Sequence, residues 1–420
     1  MKKFCSVLLA VLLLCTLTVG ASAQTTVKFW AHQNLAWNAS YEGLIAEFEA
    51  ANPDITIEFT NYPYADFEAK IQTSLASGSA GADIYEVWGG WMLDFIDTGV
   101  LSETPEHLVA ELREDAFAPV LGTLEHDGKI YGAPIEFNIE YGGLLVHKGL
   151  FEEKGLAYPT TWEEVIQIAT EAAVANGEIM ELRGLEYAQR DNLMANWLSM
   201  ILQKGGAYLV DGKVDFTTPE AVEAIQELAS YITEGQVTNL DGTTESQGVA
   251  GHELLGLDEA LMVTRGPWVI SDCVESFGME LGANLDYIAQ PPFYPGVTQK
   301  WVAETGWSLC VQKNSAVADA AWKFIEFMMD PEVLVRHNIA CAQIPPRASA
   351  ASDPDYVAQM PYMEPLLEIL GEAEFVGPFN TDVFKEYLVQ MFVSIVADGV
   401  PAAEACQKFT DDLSANMKIY

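Results

Sequence analysis

Hydrophobic and polar positions along this chain switch repeatedly between two periods, and the switches predict strands alternating with helices. Val27 to Trp30 reads as a short apolar strand. Tyr41, Leu44, Ile45 and Phe48 follow at i, i+3, i+4, i+7 spacing, the face of a helix that Asn52-Pro53 ends. Ile55, Ile57 and Phe59 then alternate with Thr56, Glu58 and Thr60, a strand buried on one face. A helix around Phe67 to Leu75, a buried strand from Asp83 to Val87 and a helix from Met92 to Asp97 continue the pattern. The second half predicts helices over Glu163–Ala175, Leu193–Lys204, Pro219–Glu234, Leu254–Met262 and Val317–Met329, with strands at Leu285–Ala289 and Trp307–Val311. This order makes the fold class α/β, with a parallel-containing sheet covered by helices on both faces.

One apolar run lies outside the pattern. Lys2 and Lys3 precede an almost wholly apolar Phe4 to Gly20, and Ala21-Ser22-Ala23 supplies a small-residue cleavage site. Residues 1–23 therefore read as a signal peptide. A lipoprotein signal acylated at Cys15 is the alternative, but Leu14 is bulky where that signal wants a small residue. Removing 23 of 420 residues leaves enough chain for two domains. Losing Lys2 and Lys3 takes the formal charge from −40 to −42, which argues against nucleic acid and anionic lipid as partners. Half the residues are hydrophobic, so this is a folded chain and not an acidic disordered one. Cys273, Cys310, Cys341 and Cys406 remain after the leader is removed, without metal or redox spacing. Both buried thiols and a bridge are open to them.

The stretch from Asp127 to Val165 carries the organisation. An Asp-Gly turn feeds a short Ile130-Tyr131 strand, an extended segment runs from Ala133 to His147, and Thr160-Thr161-Trp162-Glu163-Glu164 starts a new helix. That order is what a chain needs to leave one α/β lobe and begin another. Asn52-Pro53-Asp54-Ile55, Asp127 to Pro134, Pro159 to Glu164, Gly266-Pro267-Trp268 and Gly306-Trp307, with Ala320 to Ile325 after them, stand in the order and at the spacing of one family. The chain resembles the extracellular solute-binding proteins of ABC importers, the maltose-binding group, over nearly all of its mature length. The resemblance implies a periplasmic-binding-protein-like type II fold, two lobes joined by a three-crossing hinge with a ligand cleft between them. Carried over, the crossings fall near Ile135–Glu140, Glu304–Leu309 and Pro345–Ser352. The expected N-terminal lobe is 24–136 plus 306–347, and the C-terminal lobe 137–305 plus 348–420.

A sugar offers hydroxyls to planar polar side chains and weakly polar CH faces to aromatic rings. Trp88 and Trp91 flank Gly89-Gly90 at the carboxyl end of a buried strand, where open α/β sheets place ligands. The resemblance implies a stacking role for Trp268, and Trp307 lies at a crossing. It also implies hydroxyl contacts from the first-strand loop, Gln33 and Asn34. A relative's acidic contact aligns with Asn138, so Glu136 is the expected substitute. Arg265 and Arg347 are candidate donors, because basic residues are rare here; a salt bridge among 61 acids is the alternative.

Catalytic motifs fail on inspection. His252-Glu253-Leu254-Leu255-Gly256 opens like a zinc motif but lacks the second histidine, and no phosphate loop, nucleophile elbow or calcium loop occurs. No metal or cofactor is expected. The expected function is an exported, monomeric binding component that captures a carbohydrate, an oligosaccharide first, and delivers it to a membrane permease. Two alternatives stay open: an exported carbohydrate-active enzyme using a carboxylate pair, and a ligand-presenting partner of a membrane sensor.

Overall fold

The computed structural model describes residues 24–76, 81–177, 179–243 and 251–420. The expected signal peptide, residues 1–23 with Cys5 and Cys15, lies outside them. Two five-stranded mixed sheets form the frame. In chain order the strands are β1 (Thr25–His32), β2 (Ile55–Tyr62), β3 (Ile84–Val87), β4 (Ala133–Pro134), β5 (Gly143–His147), β6 (Val174–Asn176), β7 (Ile179–Glu186), β8 (Ala260–Thr264), β9 (Leu285–Ala289) and β10 (Ser308–Val311). The first sheet has the order β2-β1-β3-β10-β4, the second β9-β5-β8-β7-β6. Within the first, β1 is parallel to β2 and β3, while β10 runs antiparallel to β3 and β4. Within the second, β8 is parallel to β7 and antiparallel to β5.

Six helices matter for the site: α1 (Leu35–Ala51), α2 (Gly89–Asp97), α3 (Arg190–Gln203), α4 (Val269–Phe277), α5 (Pro331–Ala340) and α6 (Thr381–Val396). Asn34 caps α1 by accepting from Trp37 N–H, Gln189 caps α3, and Asn380 caps α6. The hydrophobic face of α1 is buried through Tyr41, Leu44, Ile45 and Phe48, the positions its spacing indicated.

One expected helix is not there. Leu254–Met262 divides into a single helical turn, Glu253–Gly256, and strand β8. Asp258 breaks the helix with a left-handed φ of 61°. Ala260 to Val263 is apolar throughout because β8 is an inner strand buried along its whole length, so period alone did not separate it from a buried helix. Strand β7, with a buried inner half, was also unread in the sequence.

The chain passes between the sheets in three places that are bonded to one another. Ile135 N–H donates to the Trp307 carbonyl at 3.1 Å, and Phe137 N–H to the Ile344 carbonyl at 2.8 Å. Asn338 Nδ2 adds a bond of 3.0 Å to the Ile135 carbonyl. A further parallel pair, Trp301–Ala303 with Phe375 and its two predecessors, ties the approach to the second passage to the late chain. All four cysteines among the described residues are buried and free. Among the described residues no helix is long and apolar enough to cross a membrane.

Backbones approach closely where α2 meets the second passage. A Cβ on Gly89 would stand 1.7 Å from the Thr305 carbonyl oxygen. Gly89→Ala is expected to destabilise the fold by about 1–3 kcal/mol through overpacking, measured by urea unfolding. Gly43→Ala, inside α1 where a Cβ meets nothing within 4 Å, should instead stabilise by about 0.5–1 kcal/mol and serves as the contrast.

Candidate functional site

A cavity of about 430 Å³ opens between the two sheets, at the carboxyl ends of β1 and β3. The residues that begin four helices line it: Asn34, Trp88, Gln189 and Trp268. Helix N-termini supply partial positive charge, and the neighbouring carboxylates Glu140, Asp191 and Asp272 offset it.

Aromatic rings form its walls. From the side of the first sheet come Trp37, Tyr64, Trp88 and Trp307, and from the second sheet comes Trp268. The Trp307 ring lies parallel to the His32 ring at 4.3 Å and 7°, with Trp88 tilted at 5.4 Å. Trp268 is held from two sides. Its indole N–H donates to Glu140 at 2.7 Å, and the Arg265 guanidinium sits 5.0 Å from the ring centre.

Beneath the walls lies a buried charge network. Lys385, on α6, reaches Asp191 at 2.9 Å and both Glu304 oxygens at 2.9 and 3.0 Å. Arg265 Nη1 is 3.5 Å from Asp191 and 3.9 Å from Glu140, and it also donates to Gln189 and Asn192. Burial opposes ionisation of Asp191, but Lys385, Arg265 and Arg190 more than offset it and hold this carboxyl well below the usual range. Burial dominates at Glu140 and Glu304 and pushes both upward despite their cations. Glu136 has no cation: burial pushes it up to about 8, against a bond from Trp307 N–H at 2.9 Å.

Several expected site residues come together here. Gln33, Asn34, Trp88, Asn138, Arg265, Trp268 and Trp307 all line the cavity. Asn34 is partly committed, since its Nδ2 donates to Asp272 of α4 at 3.2 Å and ties the two sides of the cleft. Three expected residues do not line it. Trp91 is buried behind Trp307, its indole N–H donating to Asp382 at 2.7 Å. Glu136 is wholly buried under the first passage, because its side chain turns to the Trp307 amide. Arg347 takes the salt-bridge alternative, pairing with Asp115 at 2.8 Å and Glu111 at 3.4 Å.

Sequence reasoning missed Glu140, Asp191, Glu304, Tyr64 and Lys385. Glu140 stood in the flagged extended segment, and Gln189-Arg190-Asp191 has the composition of a helix start. Lys385 carried no signal, since a lysine within a helix is ordinarily a solvated one.

Comparison with known proteins agrees with this geometry. The family model for bacterial extracellular solute-binding proteins matches residues 43–364, and the chain belongs to that family. A putative binding protein of Brucella abortus is 24% identical over 79% of this chain and 78% of its own length. The multiple sugar-binding protein of Streptococcus mutans is 22% identical over 59% of this chain and 58% of its own. Among solved structures, maltose-bound MalE3 of T. maritima superposes with a TM-score of 0.76 at 20% identity, covering 93% of this chain and 99% of that one. The fold is the two-lobed type II fold of periplasmic binding proteins.

Two expectations test the buried charges. Lys385→Met leaves Asp191 and Glu304 without their shared cation and should cost about 3–5 kcal/mol in urea unfolding. Glu136 is raised in the native state, so its protonated form stabilises the fold; that contribution is complete below about 4.5 and lost as pH rises through about 8. Stability should therefore fall between pH 5 and pH 9, and Glu136→Gln should flatten that fall.

Proposed function

We propose that this chain captures a carbohydrate, an oligosaccharide first, in the inter-lobe cleft and delivers it to the permease of an ABC importer. One observation carries the reading: indole walls face each other across the cavity, with polar groups lacking protein partners around it. Trp88 Nε1, Asn138 Nδ2 and Arg265 Nε are buried donors with no bond within the protein, and Gln343 Oε1 is an unused acceptor. Rings for CH faces and planar polar groups for hydroxyls are what a sugar needs. The cavity also falls within the usual range for small-molecule sites. The sugars named for the S. mutans and T. maritima proteins point the same way.

Capture is favoured over hydrolysis. Glu140, Asp191 and Glu304 are each tied to a cation or N–H, so none of them forms a free acid–base pair for glycosidic cleavage. In this reading the chain is exported by its leader, acts as a monomer, and is hinged between lobes 24–136 plus 306–347 and 137–305 plus 348–420. Closure buries the sugar between Trp307 and Trp268, and tighter binding to the closed state drives the motion.

Calorimetry of the mature protein against glucose, galactose, lactose, maltose and maltotriose tests it, with glycerol 3-phosphate, a tripeptide and spermidine alongside. At least one sugar is expected to bind. Trp268→Ala and Trp307→Ala should each weaken that sugar at least about tenfold. Binding of the peptide, polyamine or phosphate ester with no sugar sinks the reading.

A further inference from the structure

Two histidines on the cavity wall, His32 and His252, have no part in the network described above, and His32 is the one stacked on Trp307. His32 ends β1, lines the cavity and is mostly buried. One face of its ring is covered by Trp307, parallel at 4.3 Å. Its Nδ1 stands 2.6 Å from Glu86 Oε2, and its backbone N–H donates to the same oxygen at 2.9 Å. Glu86, on β3, is wholly buried, and its other oxygen accepts from the Tyr41 hydroxyl at 2.6 Å. A buried carboxylate demands donors, so Nδ1 carries a hydrogen and Nε2 is the ring nitrogen left for a ligand.

We infer that His32 is a ligand-contacting residue of the cleft, accepting a sugar hydroxyl at Nε2, and that Glu86 is the positioning residue that keeps the ring proton on Nδ1. The inference rests on the carbohydrate reading above and names a residue that sets specificity and pH response within it. Supply and demand of hydrogen-bond partners give the direction. Among the described residues the cavity has uncommitted donors at Trp88, Asn138 and Arg265, and His252 Nδ1, which donates or accepts according to tautomer, also lacks a partner. Among its acceptors Gln343 Oε1 is unused, while three of its carboxylates already hold donors. Glu140 takes bonds from Trp268 and Gly266, Asp191 from Lys385 and Gln189, and Glu304 from Lys385 and Thr381. A sugar hydroxyl must place its hydrogen somewhere, and neutral Nε2 accepts it. Protonation turns that atom into another donor and removes the bond, so affinity is lower wherever the ring carries both protons.

Other groups around the ring are Trp37 and Tyr41 from α1, and His337 from α5. Burial pushes His337 down to about 4, so it stays neutral over the range of interest. Glu136 and Glu140 at the first passage and Glu304 at the second also titrate upward of the usual carboxylate range. For that reason the assignment is tested by replacing His32, whose removal leaves those carboxylates in place.

The probe is the tightest-binding sugar of the panel, measured by calorimetry at pH 5 and pH 8. The wild type should bind about tenfold more tightly at pH 8, the worth of one hydrogen bond. His32→Gln places a non-titrating acceptor near Nε2 and should bind at both pH values about as the wild type does at pH 8. Selective 15N-histidine spectra of the wild type should show Nδ1 protonated and Nε2 shifted on sugar addition, whatever the variant's folding. A wild-type affinity that is flat with pH, a slope that survives in His32→Gln, or an Nε2 signal unmoved by sugar overturns the inference while leaving the carbohydrate reading standing. Absence of any sugar binding at either pH removes both, and so separates the two failures.

Discussion

Carboxylates buried where the chain passes between its lobes must each find a cation, an N–H or a proton, and the rest of the cleft is arranged around that need. Leaving an ion unpaired in such a place costs several kcal/mol. Asp191 and Glu304 share Lys385, Glu140 takes the indole N–H of Trp268, and Glu136, with only the Trp307 amide, is held toward its neutral form. The partners come from distant parts of the sequence. The second passage, the start of α3 and the late helix α6 are thereby fixed to one another at the cleft floor.

That pairing also orients the aromatic surfaces. Trp268 stands where Glu140 and Arg265 hold it, and Trp307 is set by its amide on Glu136 and by the stacked His32. Rings locked from behind lose little side-chain freedom on meeting a ligand, so more of their contact energy appears as affinity. The passages and the cavity are one structure: the first two passages carry Glu140 and Glu304, which line it. Family membership and the two-lobed fold agree with an extracellular solute-binding role.

Much of this was legible before any coordinates. Period marked β2 and α1, because a strand or helix with one buried face prints its period on the chain, while β1 and β3 showed as short apolar runs. Trp88, Asn138, Arg265, Trp268 and Trp307 lie at strand ends and passages that turn signals announced, and all line the cavity. The failures have two causes. Strand β8 is buried along its length and so has no period, and Arg347 and Trp91 found partners far away in sequence. Composition offered a donor and a ring; only packing decided that Asp115 and Asp382 would take them.

The amino-acid sequence by itself determined an α/β chain with an apolar N-terminal run, a strongly acidic composition, and a crossing segment flanked by aromatic residues at turns. Those properties depend on neighbours within a few residues, through period, capping and turn chemistry. Tertiary structure alone decided which carboxylates share Lys385, which face of Trp307 meets His32, and which tryptophans reach the cavity. Each of those outcomes rests on a pairing between groups some 80 to 290 residues apart, from Lys385 with Glu304 to Trp91 with Asp382, and local sequence carries no record of it.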